Sequence, residues 1–181
     1  MKKLAFALGL AVLVSAALWL PSVAQSEDTI GASVTVQEIA VSVSPTSVNY
    51  GTLPFETSKR SDALAVPVTF TATNDGNIDV DLKVRGADAT FTGGSWTIQA
   101  AAPSCPTQTN LFRHSVIGKT GVSDDTPIFL TTSNSSTDLV STLASAGEKD
   151  FNSEIFMPCT GSDGLGKTAS TSITVVATAS P

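Results

Sequence analysis

Gly161-Ser162-Asp163-Gly164-Leu165-Gly166-Lys167-Thr168 satisfies the pattern G-x-x-x-x-G-K-[ST], whose backbone amides cradle phosphate groups in nucleotide-binding proteins. That chemistry needs a helix directly after the loop, so that its N-terminal amides face the anion. Here the next residues are Ala169-Ser170-Thr171-Ser172-Ile173-Thr174-Val175, a β-favouring run. No carboxylate follows a hydrophobic strand to hold a magnesium ion. The expectation is a hairpin loop without nucleotide. His114, the only histidine, is flanked by Arg113 and Ser115 in an alternating segment, which points it to solvent or to a satisfied surface site. No serine sits in a G-x-S-x-G elbow that would make it the base of a hydrolase, and no converging nucleophile, base and orienter can be assembled. The chain is not expected to be an enzyme.

Asp75, Asp79, Asp81 and Asp88 offer oxygens of the kind calcium takes, but the glycine of the helix–loop–helix pattern is misplaced. Asp79 and Asp81 share a strand face with Lys83 and Arg85, so a solvated, cross-paired face accounts for them better than a loop metal site. Two cysteines and one histidine far apart match no zinc spacing. No metal or other cofactor is expected. Asn134-Ser135-Ser136 is a glycosylation acceptor in a polar stretch and reads as an exposed loop. Cys105 and Cys159 each adjoin a proline, which favours loops or strand ends. In an oxidising compartment they form one disulfide, worth about 4 kcal/mol in the chain-entropy model. In a reducing one they are free thiols.

The compartment is indicated by the first 24 residues. Lys2 and Lys3 precede an apolar run from Leu4 to Leu20; Pro21 breaks it, and Ser22-Val23-Ala24 supplies small residues for signal-peptidase cleavage. The run is only just short of a membrane span, but the cleavage site favours a signal peptide over residues 1–24 and an extracellular or cell-surface protein. Of 181 residues, 157 then remain, enough for one domain with its own core. Lys2 and Lys3 leave with the signal, so eight basic residues face sixteen acidic ones, a net charge of −8. Spread along the chain, that acidity disfavours nucleic acid and anionic membranes. No second hydrophobic segment suggests a span after cleavage.

The rest is punctuated every 8–12 residues and alternates between the breaks, the signature of an all-β chain. Ile78, Val80, Leu82 and Val84 fall on one face, with Asp79, Asp81, Lys83 and Arg85 on the other. Val66, Val68, Phe70 and Ala72 alternate similarly, and the turn residues Asn74-Asp75-Gly76-Asn77 between the two runs predict a hairpin. Further strands are expected at 96–99, 111–117, 128–131, 151–157 and 172–178. Only residues 138–146 carry a helical period. Seven to nine strands in one exported domain predict a two-sheet sandwich.

Ser44-Pro45-Thr46-Ser47-Val48-Asn49-Tyr50-Gly51-Thr52-Leu53, Thr73-Asn74-Asp75-Gly76-Asn77 and Asp81-Leu82 resemble the first strands of immunoglobulin-like modules of secreted and surface proteins. Phe156-Met157-Pro158, a Gly-rich loop and Thr171–Thr178 are similar to how such modules end. The resemblance covers a little under half of residues 25–181 and implies an immunoglobulin-like sandwich rather than an activity. Trp96 precedes both cysteines, so the antibody-type inter-sheet disulfide is not implied.

Residues 25–37 stand apart from the domain predicted over 38–181. Ile30, Ala32, Val34 and Val36 alternate on even positions, whereas Ile39, Val41 and Val43 alternate on odd ones. The phase flip at Gln37-Glu38 means either a bulge, or a first strand crossing between sheets, or a strand that leaves its own domain. A strand of the last kind docks in a neighbour's sheet, and repetition of that head-to-tail contact makes an open filament. The layout resembles donor-strand pilins and the fibre-forming subunits of biofilm matrices. The expectation is a structural protein assembling with itself or with other surface proteins. The alternative is a monomeric binding or adhesion module for a glycan, calcium or a surface protein, using the loops 100–110 and 118–127.

Overall fold

A computed structural model describes residues 33–118, 126–135 and 138–181. The expected signal segment 1–24, Ile30, Ala32, Ser136 and most of the loop 118–127 lie outside the described residues. The chain divides into two compact units, residues 1–35 and 36–181. Of the first, Ser33, Val34 and Thr35 are described; they are exposed and form no strand.

The second unit is all-β, in two sheets. Eleven strands are present among the described residues: β1 (Val41–Ser44), β2 (Ser58–Arg60), β3 (Phe70–Asn74), β4 (Val80–Gly86), β5 (Ala89–Phe91), β6 (Gly94–Ile98), β7 (Leu111–Gly118), β8 (Ile128–Phe129), β9 (Val140–Leu143), β10 (Glu148–Phe156) and β11 (Ile173–Ala179). Several have only two to four residues, which is why they exceed the predicted seven to nine. The large sheet runs β1-β3-β10-β7-β6-β5, with β2 also on β10 and β8 on β7. Its pairs are antiparallel except β6–β7, which is parallel. The small sheet is β11-β4-β9.

The expected hairpin is not formed. β3 and β4 have the predicted alternation, yet β3 pairs with β1 and β10 while β4 pairs with β11 and β9. Alternation says which face is apolar; it does not say whether two apolar faces lie side by side or opposite each other. Here they oppose: Phe70 and Ala72 from one sheet meet Val80, Leu82 and Val84 from the other in a single core. The Asn74–Asn77 turn therefore crosses between sheets, and Asn74 holds the crossing. Its buried amide donates to the carbonyls of Ile78 and Leu143, and its side-chain oxygen accepts from Gly76 N–H. Gly76 passes so close to the backbone at Glu38 that a Cβ would lie 2.3 Å from its carbonyl oxygen.

Three smaller expectations also change. Residues 138–146 contain the four-residue strand β9 rather than a helix: Leu139 N–H donates to Leu82, and Val140 pairs with the same residue in the β4 ladder. Val66 is exposed, and the strand expected to begin there starts only at Phe70. Residues 45–55, within the stretch likened to first strands, carry no strand.

Candidate functional site: an unpaired segment and an open groove

Val34 and Val36 are 90% and 79% exposed, and Ile39 is 48% exposed. Residues 33–40 join no strand ladder. What holds residues 36–40 is the crossing turn: Asn77 donates from its side chain to the Val36 carbonyl and accepts from Glu38 N–H, while its own backbone N–H donates to the Glu38 carbonyl. Asp75 N–H donates to the carbonyl of Ala40. The phase flip at Gln37-Glu38 thus falls where the chain is clipped to the turn. It marks neither a bulge within a strand nor a strand passing between sheets. The side chains of Val34 and Val36, just before the clip, are exposed.

The groove lies between the sheets. A cavity of about 1250 Å³ lies beside β11, which itself packs Ile173, Val175 and Ala177 against the core. Phe70, His114, Phe151 and Ile155 line one wall and Ile173 and Val175 the other, with residues 45–55 and 164–172 along its sides. The lining is aromatic and aliphatic for a positional reason: β3, β7 and β10 each turn every second side chain inward. Phe70 and Phe151 stack with centroids 5.3 Å apart.

Two polar groups stand in this apolar setting. The Tyr50 hydroxyl shares a 2.5 Å hydrogen bond with Ser153 Oγ, and burial pushes its pKa up to about 12, the hydrogen bond partly opposing. His114, expected at the surface, is instead 3% exposed, and neither ring nitrogen has a hydrogen-bond partner. Burial pushes its pKa down to about 4, so it is neutral at physiological pH. Tyr50 meets it edge-on at 6.4 Å. The sequence does carry a signal for this placement: His114 shares its phase with Phe112 and Val116, which makes it a residue of the apolar face.

The groove is open along β11. Ala87 N–H donates to Ser172, and Ser180 N–H donates to Asp79, at the two ends of the β11–β4 ladder. With the register unbroken between them, the even residues of β11 bond to β4. The amides and carbonyls of Ile173, Val175, Ala177 and Ala179 therefore point away from it. No backbone partner meets that edge among the described residues.

The other predicted residues are scattered. Cys105 and Cys159 are joined, with Cα atoms 5.3 Å apart, tying the loop before β7 to the loop after β10. The phosphate-loop match, residues 161–168, leads by way of a bridge at Ser170 into strand β11, so no helix N-terminus faces it. Asp163 of that loop is engaged by Asn110, and its carbonyl accepts from the Trp96 indole. Asp81 accepts from Ser180 Oγ and Thr142 N–H, bonds that lower its pKa. Among the described residues no three His, Cys, Asp or Glu side chains cluster as metal ligands would. Asn134 is exposed. No helix of the described residues is long and apolar enough to cross a membrane. No family model, curated protein or solved structure matches the chain.

Proposed function

We propose that the chain is an exported structural protein of the cell surface, an immunoglobulin-like sandwich that assembles head-to-tail into a filament or matrix by donating the strand within residues 25–37. The observation that carries this reading is the exposure of Val34 and Val36 within residues 33–40, which join no strand ladder. Alternating valines left in water cost about 1.5 kcal/mol or more each relative to burial, and an extended apolar strand is satisfied by adding itself to another sheet. Donor and acceptor surfaces differ, so the contact does not close on itself and repeats as a fibre. The clip at Asn77 fits the same reading, since it fixes where the donated segment leaves its domain. The two cysteines suit an oxidising exterior.

Deleting residues 25–37 tests the proposal. Light scattering should show assembly abolished, while near-ultraviolet circular dichroism shows the sandwich still folded. Unchanged polymers after that deletion would sink it.

A further inference from the structure

We infer that the open edge of β11, with the groove behind it, is the acceptor for that donated strand, and that its occupant is the segment Ile30–Val36 of a second copy of this chain. The inference rests on the donor reading above and adds where the strand goes. Length is the first argument. Ile30 to Val36 is seven residues of alternating character, and β11 is seven residues long. The twelve residues from Gln25 to Val36 reach about 40 Å when extended, ample to span a neighbour's strand.

Chemistry is the second argument. A strand added to β11 receives the outward amides and carbonyls of Ile173, Val175, Ala177 and Ala179, which have no partner among the described residues. In the same position it turns alternate side chains toward the mouth of the cavity, where Val48, Leu53 and Ile173 are half-buried. Ile30, Ala32, Val34 and Val36 are the apolar phase of the segment. Gly31, Ser33 and Thr35 form its small, uncharged phase, which would face water. One strand thus meets both demands of the site, a backbone ladder and an apolar filling.

The competing edge is β1, the terminal strand of the large sheet. It has four residues against seven. The β11 edge offers the longer ladder and the larger apolar space.

Two variants of the chain from residue 25 test the assignment. Val34→Asp with Val36→Asp keeps the groove and spoils the strand. Ala177→Pro keeps the strand, removes one outward amide and leaves the bonds to β4 in place. Each alone should stay monomeric, and a 1:1 mixture should stop at a dimer, doubling the mass seen by light scattering. Assembly of Ala177→Pro by itself would overturn the acceptor site and leave the donor reading standing. Assembly of the double aspartate variant would overturn the donor reading itself. Cross-linking probes the site without proline: Thr35→Cys in one chain is mixed with Thr174→Cys, Val176→Cys or Thr178→Cys in another. At least one pair should give a disulfide-linked dimer. Polymers that form with none of the three pairs linking would place the strand elsewhere.

Discussion

The two sides of β4 are finished differently. On one side the chain returns repeatedly to close the ladder: Gly86 N–H donates to Thr131, Ser135 and Leu139 donate to Val84 and Leu82, and β9 completes the edge through a bulge near Val80 and Leu82. Lys83 and Asp138 add a 3.1 Å ion pair over that seam. On the other side stands β11, fully bonded to β4; β1 comes near it, but no strand bonds its outer edge among the described residues. Folded proteins usually shorten, charge or cover a free edge. Here the covered edge carries a bulge and an ion pair, whereas β11 is seven residues without a charge. The difference is that one flank of the small sheet is bonded along its length and the other is not, among the described residues.

That contrast can be broken or sharpened by substitution. The largest effect belongs to the sealed flank. Leu139→Ala removes a side chain that is 1% exposed, and chemical denaturation should show a loss of about 3–4 kcal/mol. A loss below about 1 kcal/mol would mean the flank is not closed as described.

The second effect lies under the open flank and depends on pH. The His114 imidazole titrates near 4 in the folded chain and near 6.5 when unfolded. Between those values the unfolded chain binds more protons, so the neutral ring's stabilising share is full above pH 6.5 and is lost as pH falls toward 4. Denaturation midpoints should fall across that window by the equivalent of about 3 kcal/mol, and His114→Gln should remove that step. A flat profile in the wild-type chain would show that water reaches the ring.

Smaller effects follow at the edges. Val175→Ala, on the half-buried wall of the groove, should cost about 1 kcal/mol in the monomer, well below Leu139→Ala. Asp138→Asn should cost about 0.5 kcal/mol, since the ion pair it breaks is a third exposed on both sides. Equal losses for Leu139 and Val175 would erase the contrast between the flanks.

Much of this is legible in the sequence, and the misreadings share a cause. The alternation of Val80, Leu82 and Val84 against Asp81, Lys83 and Arg85 reports the buried and wet faces of β4 correctly. The same alternation in β3 is equally sound, but the turn between them looks like a hairpin because Asn, Asp and Gly suit any tight reversal. Only the partners, β10 for one and β11 for the other, distinguish a crossing from a hairpin, and those lie 70 or more residues away. β9 is hidden for a related reason. Its four residues are held by an edge of β4, which outweighs the weak helical period of the segment. The polar neighbours of His114 in sequence suggest the surface, although the phase it shares with Phe112 and Val116 points inward. The groove cannot be read from the sequence at all, because it is made by strands from distant parts of the chain. The alternation of Ile30, Ala32, Val34 and Val36 can, because that pattern is local.

The most direct test of the central claim is negative-stain electron microscopy of residues 25–181, with light scattering on the same sample. Filaments, or a ladder of oligomers differing by one subunit, are the predicted result. A uniform monomer at high concentration would contradict it, returning Val34 and Val36 to a role within their own chain.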